Sequence, residues 1–253
     1  MYSLLLAQIG FSALTGFCLV FVLGGMYQTY RRMGLSAAAA VSKTIVMALV
    51  LLGWVLFASW LALGGYMGNF SLAPLNLVPV LLPPLVAVLF FTFYPGSQNF
   101  IRHLPAAGLL QLQAFRIPVE IFLWWLFLAQ NLPQSMTFAG RNWDILAGLA
   151  GPVLAAICYG GRRYNQKLAT LYNLLGLALL LNIVVTAILS LPTPFQVFFE
   201  EPDARIMATF PVMFLPTFLV PLAYSLHIFS LRKAVLESRA RAAASAASAP
   251  GVA

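Results

Sequence analysis

The chain reads as an all-α integral membrane protein, a seven-helix bundle with its N-terminus outside and its C-terminus in the cytoplasm. Three observations lead there. Of 253 residues, 62% are hydrophobic and 8% are charged, against about 45–50% and about 25% in an ordinary soluble domain. The apolar residues collect in runs of the length that crosses a hydrocarbon core of about 30 Å, which takes about 20 helical residues. The Lys and Arg residues gather between alternate runs, the asymmetry that distinguishes cytoplasmic from external loops.

The first run, 4–26, has no Lys or Arg before it, whereas Arg31 and Arg32 follow it. That order is the reverse of a cleavable signal peptide, so the run is expected to remain as an anchor. The second run covers 44–66. The third, 77–94, contains Pro79, Pro83 and Pro84, and the fourth, 107–130, contains Pro118. The fifth, 144–160, is short and rich in small residues, with Ala147, Gly151 and Ala155 at four-residue spacing, which lets a neighbouring helix approach closely. The sixth covers 169–191, and the seventh, 208–231, carries Pro211, Pro216 and Pro221. Prolines inside such runs are tolerated because neighbouring groups satisfy the freed carbonyls.

Sorting the connecting segments alternately puts Arg31, Arg32, Lys43, Arg102, Arg162, Arg163, Lys167, Arg232, Lys233, Arg239 and Arg241 on one side. The other side keeps Arg141 and Arg205, together with Asp144, Glu200, Glu201 and Asp203. An even number of spans would spoil this sorting. Residues 1–232 are therefore expected to form the seven-span domain in the cytoplasmic (inner) membrane. Residues 233–253 form an Ala/Ser-rich cytoplasmic tail that extends the last helix and then becomes disordered.

The fourth run is the most informative. In QLQAFRIPVEIFLWW, Arg116 and Glu120 stand four residues apart and share one helix face, which Gln113 and Trp124 extend. A charge at the helix centre costs about 2.5–3.5 kcal/mol on insertion scales, so such residues face a bundle interior and have partners. Counting from the inner boundary brings Asn182 of the sixth run to the depth of Glu120, which makes it the expected partner, with Thr186 on the same face. Asn173, nine residues earlier, points the opposite way at about 100° per residue. The competing reading is an Arg116–Glu120 ion pair that only fixes packing. At the outer edge Asn142 suits an N-cap and Asp144 a first helical turn, while Arg141 stands ready to pair with Asp144 or with an anionic ligand.

Other classes fit poorly. The net charge of +8 is divided among short clusters, so no nucleic-acid surface is expected. Cys18 and Cys158 share no metal or disulfide spacing, and His103 and His227 are too few for a haem or zinc centre. No metal or cofactor is expected, and no nucleophile-elbow, phosphate-loop or glycine-fingerprint motif occurs. The seventh run has no lysine for a retinal Schiff base. The sugar transporters built of three, one and three helices use the fourth helix as a linker, whereas here it carries the charges.

At QLQAFRIPVE and MTFAGRNWDILAG the chain resembles an uncharacterised group of bacterial polytopic inner-membrane proteins, over about residues 113–231. The resemblance implies a location but no activity, ligand or cofactor. The residues themselves lead to a small-ligand or proton-linked transporter or sensor, with its site at Arg116, Glu120 and Asn182 and with Gln113, Trp124 and Thr186 around it. A second expectation is a subunit or assembly factor that meets membrane lipids and a protein partner through the outer loop 192–207, where PTPFQVFFEEP mixes aromatics with acids. A lipid- or isoprenoid-modifying enzyme comes third, for want of a catalytic constellation.

Overall fold

A computed structural model of the protein describes residues 2–161 and 164–248. Arg162 and Arg163, counted above among the inner-side cations, and tail residues 249–253 lie outside the described residues. The described residues are helical, with no strand among them. The helices are α1 (Tyr2–Arg32), α2 (Ala37–Leu63), α3 (Val78–Phe93), α4 (Gln98–His103), α5 (Ala106–Gln111), α6 (Arg116–Leu128), α7 (Ile145–Tyr159), α8 (Gln166–Ser190) and α9 (Val220–Ser248).

Five stretches are long and apolar enough to cross a membrane: Tyr2–Arg32, Ala37–Leu63, Ala106–Leu128, Gln166–Ser190 and Leu215–Ala247. The other two expected spans are shorter. α3 has 16 residues and turns by 76° into Pro95–His103, because a residue before proline is pushed out of the helical region; Tyr94 there is extended, at φ −63° and ψ 127°. α7 has 15 residues, about 22 Å at about 1.5 Å per residue, which is less than the hydrocarbon core.

The prolines of the fourth and seventh runs sit at local changes of winding. α5 and α6 are joined by a tight turn, Leu112–Phe115, just before Pro118. A π turn, Leu215–Leu219, precedes α9. Pro221 has no N–H to offer the carbonyl of Thr217 four residues back, and the Trp54 indole of α2 donates to that carbonyl instead, at 2.9 Å. This is the main polar tie of α2, which buries only Ala40 and Ala58 and leaves Leu49, Leu56, Trp60 and Leu63 exposed.

α6 and α7 pack against each other. α1 packs along α6, with Phe11 edge-on to Phe122 at 5.3 Å between ring centres. The small face of α7, Ala147, Gly148, Gly151 and Ala155, is buried against α5, the turn before α6, and α8. A Cβ on Gly151 would lie 2.5 Å from the Leu110 carbonyl oxygen and 2.9 Å from the Tyr172 hydroxyl. The four-residue spacing seen in the sequence is thus a helix contact. Gly151→Ala is expected to cost about 1–3 kcal/mol through overpacking, read by unfolding in detergent. Gly53→Ala, which has nothing within 4 Å of the added carbon, is expected to stay within about 0.5 kcal/mol.

Candidate functional site

Gln113, in the turn between α5 and α6, and Arg116 and Glu120 of α6 are buried together, and the last two are each 1% exposed. The third wall comes from the connection between α6 and α7. It folds inward through a turn at Gln134–Met136, tied by backbone bonds from Arg141 to Ser135 and from Gly140 and Asn142 to Thr137. Gly140 sits so close to the Gln134 carbonyl that any side chain would collide with it. This fold carries Asn142 and Thr137 out of solvent.

Asn142 closes the site. Its amide nitrogen donates to Glu120 Oε1 at 2.6 Å and to the Met136 carbonyl at 3.2 Å, while its oxygen accepts from the Asp144 backbone N–H at 3.1 Å. Asp144, at the head of α7, places Oδ1 3.1 Å from Arg116 Nη1. The pair is close, but the N–H is not directed at the oxygen. Gly148, one turn on, lets α7 rest against Arg116 and Ile117, where a Cβ would lie 3.1 Å from each side chain.

Two sequence-based assignments are corrected. Arg116 takes Asp144 as its ion-pair partner, and Glu120 takes Asn142 in place of Asn182. Asn182 is exposed and donates to the Arg141 carbonyl at 2.7 Å, because at about 100° per residue it lies on the side of α8 away from Leu180, Ile183, Val184 and Ala187, which share a cavity with Glu120. The remaining residues divide. Gln113 donates to the Ala223 carbonyl at 3.3 Å, and Thr186 returns its hydroxyl to the Asn182 carbonyl at 2.9 Å. Trp124 packs on Phe127 and Phe138, with ring centres at 5.1 and 5.0 Å. Arg141 lies over the Phe198 ring at 4.3 Å, away from Asp144's ion pair. The expected capping is also corrected: α7 begins at Ile145, so Asp144 takes the N-cap position, without a side-chain cap, and Asn142 lies two residues before it, turned to Glu120.

Beside these groups lies a cavity of about 140 Å³. Its wall is apolar, with Leu81, Leu123, Ile183, Met207 and Leu215 among its residues, except where Glu120, Asn142 and Asp144 reach it. Glu120 Oε2, Gln113 Oε1 and the Nε and Nη2 atoms of Arg116 are buried with no hydrogen-bond partner. Such groups ordinarily hold water or a ligand. The cluster holds one cation and two carboxylates, so it is neutral only with one further positive charge.

A second buried polar chain runs from this site toward the basic end of the bundle. Tyr172 donates to the Ala147 carbonyl at 2.8 Å and lies 5.5 Å, ring to ring, from His227. His227 Nδ1 meets Asn173 Oδ1 at 2.8 Å, and Asn173 donates to Ser230 Oγ at 2.9 Å. Gly176 makes the space, since a Cβ there would overlap the imidazole. Asn173 and Asn182 thus point to different neighbours, as their angular separation on one helix requires. His227 was missed in the sequence, where it appears as a lone histidine near a helix end.

The loop 192–207 has its own anchor. Arg205 binds Asp203 with two nitrogens, at 2.7–3.0 Å, and these bonds hold the Asp203 carboxyl below its usual range. Phe195, Val197 and Phe199 remain exposed.

The chain belongs to a family described as a domain of unknown function, DUF8737, whose model matches residues 74–235. That stretch holds every residue of the cluster and leaves out α1 and α2. No curated protein and no solved structure matches the chain.

Asn142→Ala is expected to cost about 1–3 kcal/mol, the penalty for leaving buried acceptors unsatisfied. Asn182→Ala, at an exposed position, is expected to cost less than about 0.5 kcal/mol. Denaturant unfolding of the two variants in the same detergent checks the reassignment.

Proposed function

We propose that this is a ligand-binding membrane protein, a transporter or sensor, that takes a small and mostly apolar molecule into the cavity beside Glu120 and is linked there to a proton. The observation that carries this reading is an apolar cavity with Glu120 in its wall, a residue whose Oε2 is buried without a partner. Arg116 offsets one carboxylate. The other calls for a proton or the cationic or hydrogen-bond-donating head of a ligand, since an isolated buried charge is far too costly. The volume suits a modest ligand, because a cavity of about 150 Å³ lined by aliphatic residues holds benzene.

In this proposal the chain crosses the inner membrane seven times, N-terminus outside. α3 with α4, and α7 with its inward-folded approach, count as the two broken or short crossings. Non-helical backbone at membrane depth is tolerated where it is buried in protein or lines a cavity, and the 129–144 connection is such a segment. Nothing in the cluster supplies an activated nucleophile, so no reaction is assigned.

A second reading rests on a separate feature. Phe199 is 81% exposed, and Phe195 and Val197 are also bare, in a loop that carries Glu200 and Glu201. A protein partner at this loop would make the chain a subunit of a larger membrane complex.

Native mass spectrometry with an absorption spectrum, on protein extracted gently from its own membrane, tests both readings. A bound small molecule retained by the parent and lost in Glu120→Gln is the expected result. Bare protein, or an adduct unaffected by that change, would overturn the cavity assignment. A co-purifying polypeptide that Phe199→Ser releases would establish the second reading.

A further inference from the structure

A second cavity, of about 370 Å³, opens at the other end of the bundle. It lies between the last turn of α1, the start of α5, the α7–α8 connection and the distal part of α9. Arg32, Lys233 and Arg241 line it, and Glu237 is its one acid among the described residues. Lys233 is 8% exposed; its ammonium donates to the Arg102 carbonyl and lies 2.9 Å from the Glu237 carboxylate. Those two charges offset each other. Arg241 reaches the side-chain oxygen of Gln166, and Gln166 is fixed in turn by a 2.8 Å bond to the Ala234 carbonyl. Arg32 has no hydrogen-bond or ion-pair partner among the described residues. The cleft therefore presents two uncompensated guanidinium groups, one held in place and one free, with the Tyr159 side chain beside them.

Leu104, Pro105, Ala106 and Ala107 supply an apolar part of the lining. Guanidinium groups match phosphate oxygens in geometry and charge. Basic pockets between helices on the cytoplasmic side hold anionic lipid headgroups. The cleft lies where α1, α5, α8 and α9 meet, each part of a stretch long and apolar enough to span a membrane, and near ends of those stretches at Arg32, Ala106 and Gln166.

We infer that this cleft binds a phosphate-bearing anion, through Arg32 and Arg241. A phospholipid headgroup and a soluble phosphate share that chemistry, and the experiment separates them. The full chain, purified in a neutral detergent, is titrated with phosphatidylglycerol and, separately, with inorganic phosphate, and binding is followed by native mass spectrometry and by the shift in unfolding temperature. The parent is expected to bind at least one of the two. Arg32→Gln with Arg241→Gln is expected to weaken that binding about tenfold to thirtyfold, from two cations at about 1 kcal/mol each. Arg102→Gln with Arg239→Gln removes the same charge outside the cleft and is expected to change little. Binding of phosphatidylglycerol alone identifies a lipid site, and binding of both identifies a phosphate site open to water. No binding of either probe, or equal loss in the two double variants, would overturn the inference.

Discussion

A guanidinium with no access to water sits between α6 and α7, and the centre of the molecule is arranged around holding it there. Arg116 is 1% exposed, and removing the partner of such a charge costs about 3–5 kcal/mol. Asp144 is that partner, and to reach it α7 must begin at the depth of Arg116. This explains why α7 is short and why the connection before it folds inward, carrying Asn142 to Glu120. Close approach at this depth also needs the glycines: Gly148 beneath the Arg116 side chain and Gly151 against Leu110 and Tyr172.

Because Asp144 serves Arg116, Glu120 does not have to. One of its oxygens is held by Asn142 and the other is buried without a partner, in a residue that lines the cavity. The proposed proton or ligand head would meet Glu120 at that second oxygen, on which the surroundings impose no fixed partner. Beyond the ring contact of Tyr172 with His227, the hydrogen-bonded series His227, Asn173 and Ser230 leads toward the basic cleft. Ser230 itself lines that cleft.

Much of this was legible in the sequence, and the missing part has a physical cause. The face of Gln113, Arg116 and Glu120 follows from helical spacing, and all three residues are buried together. The small face of α7 and the divergence of Asn173 from Asn182 follow from the same geometry. The pairing of Glu120 did not follow, because depth counting treated the 131–143 segment as an external loop. Its inward path is set by contacts remote in sequence, such as Asn142 to Glu120 across 22 residues. The apolar runs located the helices, but the bend after α3 depends on the Tyr94–Pro95 junction, which a hydropathy count does not register.

The central claim is that Arg116 belongs energetically to Asp144, leaving Glu120 to the cavity. A pair of double-mutant cycles measured by unfolding in detergent tests it most directly: Arg116→Gln combined with Asp144→Asn, and Arg116→Gln combined with Glu120→Gln. The account predicts a coupling for Arg116 and Asp144 that exceeds that for Arg116 and Glu120 by about 1 kcal/mol or more. Equal couplings, or a larger one with Glu120, would contradict it and return the two charges of α6 to a packing pair.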